Sequence, residues 1–315
     1  MADHRTTRRQ VSIAAAVATL LTLTACTATP TPPAPNAPAS SATLEHVHGL
    51  GYDPVTGRTY AAAHSGVWTI PTDVLPDTYP APAPGAGPAE QNGPIAERVQ
   101  DTMGFTVTAE GVFYASGHPD PADAAASAAG PNLGLIRSTD AAGTWEPVSL
   151  SGQTDFHDLA TAELEDGTTR VYGYDASDGR IRRSDDSGTT WTPVATVALR
   201  DLTVDPDRPD RVYATTQGGV QVSDDAASTF RPLDGAPTLY LVEATGGGAL
   251  AGIDVDGTVW TGSADGAWEQ HGVVTGTPEA FTLVGGETVW VLAADERGIV
   301  ASDDYGVTWT VLRSF

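Results

Sequence analysis

Five histidines, one methionine and two aspartates recur at matched places in the first half of the chain, and their types suit metal coordination. His48-Gly49-Leu50 aligns with Met103-Gly104-Phe105 and with His157-Asp158-Leu159. Two residues before each of these stand His46, Asp101 and Asp155. A second alignment runs beside the first. Tyr60 is followed four residues later by His64, and Tyr114 four later by His118; the same place after Tyr213 holds Gln217. Imidazole with a thioether suits copper, whereas imidazole with a carboxylate suits zinc or Cu(II). Met103 is the one methionine beyond Met1. The same imidazoles would also line a sugar or small-anion pocket, and a lone histidine or methionine is often no more than core filling. Five aligned histidines carry more weight than one.

For these residues to meet, the chain must place them on neighbouring strands. Residues two apart share one face of a strand. The start of a first strand and the end of an antiparallel second strand lie at the same end of the pair. His46, His48, His64, Met103, His118 and His157 therefore converge if each copy is a strand pair and the copies sit side by side.

The rest of the sequence supplies such copies. Ser184-Asp185-Asp186-Ser187-Gly188-Thr189-Thr190-Trp191 and Ser302-Asp303-Asp304-Tyr305-Gly306-Val307-Thr308-Trp309 share the pattern S-x-D-x-G-x-T-W. Ser138 to Trp145 keeps Asp140 but moves its glycine to Gly143, and Ser223 to Phe230 keeps Asp225 with Ala227 in the glycine place. Thr261 to Trp268 is a fainter fifth copy. The Asp accepts hydrogen bonds from turn N–H groups, Gly permits a positive φ, and Trp packs between sheets, so each box marks a hairpin turn. Short alternating strands surround the boxes, four in about 40 residues. Six units begin near His46, Asp101, Asp155, Leu199, Tyr240 and Ala280. The expected fold is all-β: a propeller of six four-stranded blades over 44–315, or seven if the Pro/Ala/Gly-rich excursion at 72–97 hides a strand pair. A second, Ala-rich excursion at 119–132 leaves from the histidine end and is placed to cover it.

These boxes resemble the Asp boxes of the sialidase/Asp-box propeller superfamily, and the chain is similar to bacterial lipoproteins labelled glycosyl hydrolase or exo-α-sialidase-like. The resemblance implies a propeller first and, beyond it, either a sialidase-like glycoside hydrolase or a protein-interaction scaffold like the photosystem assembly-factor propellers. A sialidase clamps its substrate with three arginines, but the first inner strand, Glu45 to Leu50, has none, and among aligned inner strands only Arg200 offers one. No catalytic residue is assigned on this basis.

Residues 1–25 read as a lipoprotein signal peptide. Arg5, Arg8 and Arg9 precede an apolar run from Val11 to Leu23, too short to span a bilayer. Leu23-Thr24-Ala25-Cys26 resembles a lipobox, and Thr7-Arg8-Arg9-Gln10-Val11 resembles a twin-arginine signal. Cys26, the single cysteine, is then the lipidation site, and 26–43 is a Pro/Thr/Ala-rich tether. The expected location is the outer face of a bacterial cell membrane. With 40 acidic residues against 16 basic ones, the net charge of −24 repels nucleic acid. The expected partners are the membrane through the lipid, and a metal ion, glycan or protein; the propeller is expected to be a monomer.

Overall fold

The computed structural model describes residues 42–84, 92–285 and 288–315. The expected signal peptide, Cys26 and the tether up to residue 41 lie outside the described residues.

Six antiparallel sheets follow one another along the chain. Blade 1 comprises Val47–Asp53, Arg58–Ala63 and Gly66–Ile70. Blade 2 comprises Asp101–Val107, Phe113–His118, Leu135–Ser138 and Glu146–Ser149. Blade 3 comprises Phe156–Glu163, Thr169–Asp175, Arg180–Ser184 and Thr192–Thr196. Blade 4 comprises Leu199–Val204, Val212–Thr216, Gly219–Ser223 and Arg231–Pro232. Blade 5 comprises Leu239–Ala244, Ala249–Asp254, Thr258–Ser263 and Glu269–Val273. Blade 6 comprises Ala280–Val284, Trp290–Asp295, Gly298–Ser302 and Thr310–Arg313. The six-blade expectation holds, with inner strands starting within a residue of the expected places. The described part of 72–97 adds no strand, so blade 1 has three strands among the described residues.

The ring closes through its inner strands. Each contacts the inner strand of the next blade, and that of blade 6 contacts that of blade 1. A blade is covered on both faces, so its second strand is buried along its length: all six residues of Arg58–Ala63 are buried. The core is correspondingly divided into six clusters, each filling one boundary between blades. Trp68, Ile70, Trp290, Leu292 and Ile299 lock blade 6 to blade 1, and Tyr114, Leu135, Phe156 and Val171 lock blade 2 to blade 3. Each such large side chain contributes about 1.5–3 kcal/mol by leaving water. Glu279 adds a polar latch between blades 6 and 1, its Oε2 accepting from Val47 N at 2.8 Å.

The Asp boxes are hairpin turns between third and fourth strands. In the Ser184 box, Asp186 Oδ1 accepts from Ser184 Oγ (2.7 Å) and Thr190 N (2.8 Å), while Oδ2 accepts from Thr190 Oγ1 (2.6 Å). Asp140, Asp225 and Asp304 repeat this set. Trp191 then packs on Phe156 with ring centroids 4.8 Å apart. Each turn needs two successive left-handed residues, Ser187 (φ 56°) and Gly188 (φ 86°) here. Where the glycine is missing, alanine takes the same conformation: Ala142 (φ 67°) and Ala227 (φ 62°). The shifted Gly143 therefore does not serve as the box glycine.

Candidate metal centre

Five of the six inner strands carry a β-bulge at one equivalent place, where the register against the second strand slips by one residue. The slips fall at His48, Met103, His157, Arg200 and Tyr240. Blade 6 pairs without a slip, with Phe281 opposite Ala293. A bulge bends the strand and re-aims the extra side chain. Here it turns His48, Met103, His157 and Arg200 into a central channel cavity of about 350 Å³. Arg200 is held by a hydrogen bond from Nη2 to the Glu279 carbonyl (2.8 Å) and by stacking on Tyr240, its guanidinium carbon 4.8 Å from the ring centroid.

The first three blades build the histidine mouth as the spacing anticipates. His46, His48 and His64 form one group, with His64 4.6 Å from the His48 ring and 5.1 Å from that of His46. His46 takes a left-handed φ of 53°, uncommon for a residue other than glycine. Across the boundary, Asp101 opens the inner strand of blade 2. Its Oδ1 lies 3.8 Å from His48 Nε2 and 3.8 Å from His64 Nε2. One ligand atom from each of His48, His64 and Asp101 fits within 4.8 Å of the others. His48 Nε2 and Asp101 Oδ1 are both buried without a hydrogen-bond partner. Such orphaned polar atoms are costly unless a ligand satisfies them.

His118 and His157 meet at the next boundary, on Asp155. His157 Nε2 donates to Asp155 Oδ2 at 2.8 Å, and His118 Nε2 lies 3.8 Å from the same oxygen. His118 Nδ1 is hydrogen-bonded to the Pro131 carbonyl at 3.0 Å. The 119–132 excursion thus touches the mouth through that carbonyl. It folds into a short helix, Ala124–Ala129, capped by Asp123, whose Oδ1 accepts from Ala125 N and Ala126 N.

At the first group His48 is held in the neutral form that coordinates a metal. Burial, aided by His64, His157, Arg200 and His46, brings His48 down to about 4, so its imidazole is neutral at neutral pH. Burial pushes Asp101 up, against the pull of the neighbouring histidines. At the second group, the hydrogen bond that His157 donates to Asp155 raises His157. Burial opposes ionisation of Asp155, but the His157 bond and charge outweigh it and its value falls.

Beneath the mouth the cavity wall holds carboxyl groups that sequence reasoning did not single out. Asp158, Asp201 and Glu243 face the lumen on the inner strands of blades 3, 4 and 5. Desolvation raises Asp201 to about 6 and Glu243 to about 8, and lifts Asp158 well above the carboxylate range. Asp201 Oδ2 accepts from Val242 N (2.6 Å), bridging blades 4 and 5, and Thr282 Oγ1 donates to Glu243 Oε1 (3.3 Å). Arg200 is the sole arginine among the described residues lining the cavity, so no three-arginine clamp is formed there.

No protein-family model matches the chain, and no curated protein matches it. Solved structures do. The Niastella koreensis GH74 enzyme matches with 16% identity and a TM-score of 0.55 over 85% of this chain and 37% of that one. An ancestral GH74 enzyme matches with 14% identity and a TM-score of 0.51 over 86% of this chain and 39% of that one. A chain of a nidogen/laminin complex matches with 14% identity and a TM-score of 0.54 over 78% and 89%. This chain thus spans well under half the length of the GH74 enzymes. At these identities the likeness concerns the fold, and the described chain is a six-bladed β-propeller.

Proposed function

We propose that this protein is an exported, lipid-anchored propeller that binds a divalent transition metal ion, zinc or Cu(II), at the boundary of blades 1 and 2. The observation that carries the reading is the convergence of His48 Nε2, His64 Nε2 and Asp101 Oδ1, two of them buried and unpartnered. Side-chain shifts of a few tenths of an ångström bring three such atoms onto ligand distances of ~2.0–2.2 Å. Two imidazoles and one carboxylate leave a coordination position open, the pattern of sites that admit an exogenous ligand or water. Anchoring through Cys26 would hold this mouth outside the cell, where a surface with net charge −24 concentrates cations. The test is zinc titration by calorimetry of the untagged full chain. One ion per chain at sub-micromolar Kd, lost in His48→Gln and Asp101→Asn, is expected. Equal binding by both variants and parent would sink the reading.

A glycoside hydrolase is the second reading, favoured by the three carboxyl groups around one cavity. Glu243, held protonated near neutral pH, is suited to act as a general acid. Turnover of aryl glycosides or sialosides, abolished in Glu243→Gln, would favour it. A panel with no turnover would leave the metal reading or a protein-binding scaffold.

A further inference from the structure

We propose that the boundary of blades 2 and 3 is a second, softer metal site, built from Met103, His118 and Asp155, that takes Cu(I). The inference rests on the metal-binding reading of the mouth and goes beyond it in number of ions, ligand set and oxidation state.

His48 and Met103 are the bulge residues of adjacent inner strands. His64 directly follows the second strand of blade 1, which ends at Ala63, and His118 ends that of blade 2. Asp101 and Asp155 each stand two residues before the bulge residue of their own blade, facing the histidine of the blade before, at 3.8 Å in both cases. The second boundary therefore repeats the aspartate and second-strand histidine of the first, while the thioether of Met103 takes the register position of the His48 imidazole and His157 that of Met103.

Two further observations show a site prepared for a ligand. His118 Nδ1 is committed to the Pro131 carbonyl at 3.0 Å. A carbonyl only accepts, so Nδ1 carries the proton and the Nε2 lone pair faces Asp155. Metal-ligating histidines are oriented in this manner by an outer carbonyl. Asp155 Oδ1 is buried without a hydrogen-bond partner, as Asp101 Oδ1 is at the first boundary. His157 is bonded to Asp155 Oδ2, the oxygen that His118 Nε2 also approaches at 3.8 Å, and so fixes that carboxylate with Oδ1 unpartnered. Met103 lines the same channel cavity as His48 and His157. Thioether sulfur selects Cu(I) over zinc, so the two boundaries would differ in preferred ion.

The experiment uses the untagged full chain carrying Cys26→Ser, so that the cysteine sulfur cannot contribute. It is loaded anaerobically with Cu(I), desalted, and measured for copper per chain and for sulfur scattering in the X-ray absorption spectrum at the copper edge. In the absence of zinc the imidazoles of the first site also take copper, so the parent is expected to retain about two copper ions per chain with a sulfur contribution. Met103→Leu, a nearly volume-conserving change, should lose one ion and the sulfur contribution, and His118→Gln should lose the same ion. His48→Gln should lose one ion and keep the sulfur contribution. One ion per chain, with count and spectrum unchanged by Met103→Leu and His118→Gln, would overturn the second site and leave the first standing. No retained copper and no bound zinc would overturn both.

Discussion

Exchanging Glu243 for glutamine should stabilise the protein at alkaline pH and hardly at all at pH 4. The carboxyl sits in the channel wall, where desolvation lifts it from its ordinary 4.5 to about 8, against hydrogen bonds from Leu283 N and Thr282. A folded-state value above the unfolded one means that the folded chain holds the proton more tightly. The resulting stability is fully present below pH 4.5 and is lost as pH rises to about 8. At about 1.4 kcal/mol per pH unit, this displacement corresponds to an upper bound near ~5 kcal/mol. Channel water reduces it, and about 3–4 kcal/mol is expected. Glutamine keeps the acceptor for Thr282 and Leu283 and carries no charge at any pH. The assay is thermal unfolding of parent and Glu243→Gln at pH 4 and pH 8.5. A domain of this size shifts by about 2–4 °C per kcal/mol, so the variant should melt about 6–16 °C above the parent at pH 8.5 and within about 2 °C of it at pH 4. An equal shift at both pH values, or none at pH 8.5, would refute the argument that this carboxyl is desolvated and pays for its ionisation.

Three more outcomes are expected. Parent stability should pass through a maximum near pH 4–5: above it Glu243 and Asp201 lose stability, and below it the Asp-box carboxylates Asp140, Asp186, Asp225 and Asp304, all held low by hydrogen bonds, must be protonated as pH falls through their folded values; a pH series of melting curves checks this. Gly188→Ala should cost about 2–4 kcal/mol in chemical denaturation, because a Cβ there would lie 2.1 Å from Leu135 Cδ2 in addition to holding a positive φ. Gly117→Ala should destabilise by a similar amount and weaken metal retention by His118, since its Cβ would lie 2.0 Å from the Asp101 carbonyl at a φ of 135°.

The fold was legible because a propeller repeats itself. The boxes around Asp186 and Asp304 mark the third turn of a blade, and spacing from box to box places the inner strands to within a residue. The candidate site was legible to the level of alignment: matching His48, Met103 and His157, with Asp101 and Asp155 two residues earlier, points to one end of three blades. What alignment cannot supply is how they divide. A bulge is a pairing property of two strands, and nothing in His48-Gly49-Leu50 announces that His48 is the unpaired residue. The division of six candidates between two boundaries depends on Asp101 reaching back to His64, and Asp155 to His118, across blades distant in sequence. The channel carboxyls were missed for a related reason. Asp158, Asp201 and Glu243 look like ordinary members of an acidic chain, and only ring closure takes them away from bulk water.

The measurement that bears most directly on the central claim is an anomalous-scattering map of crystals soaked in zinc, collected on both sides of the zinc edge. The account predicts a peak about 2.0–2.2 Å from His48 Nε2, His64 Nε2 and Asp101 Oδ1. A map with zinc bound elsewhere on the acidic surface and nothing between these three atoms would contradict it.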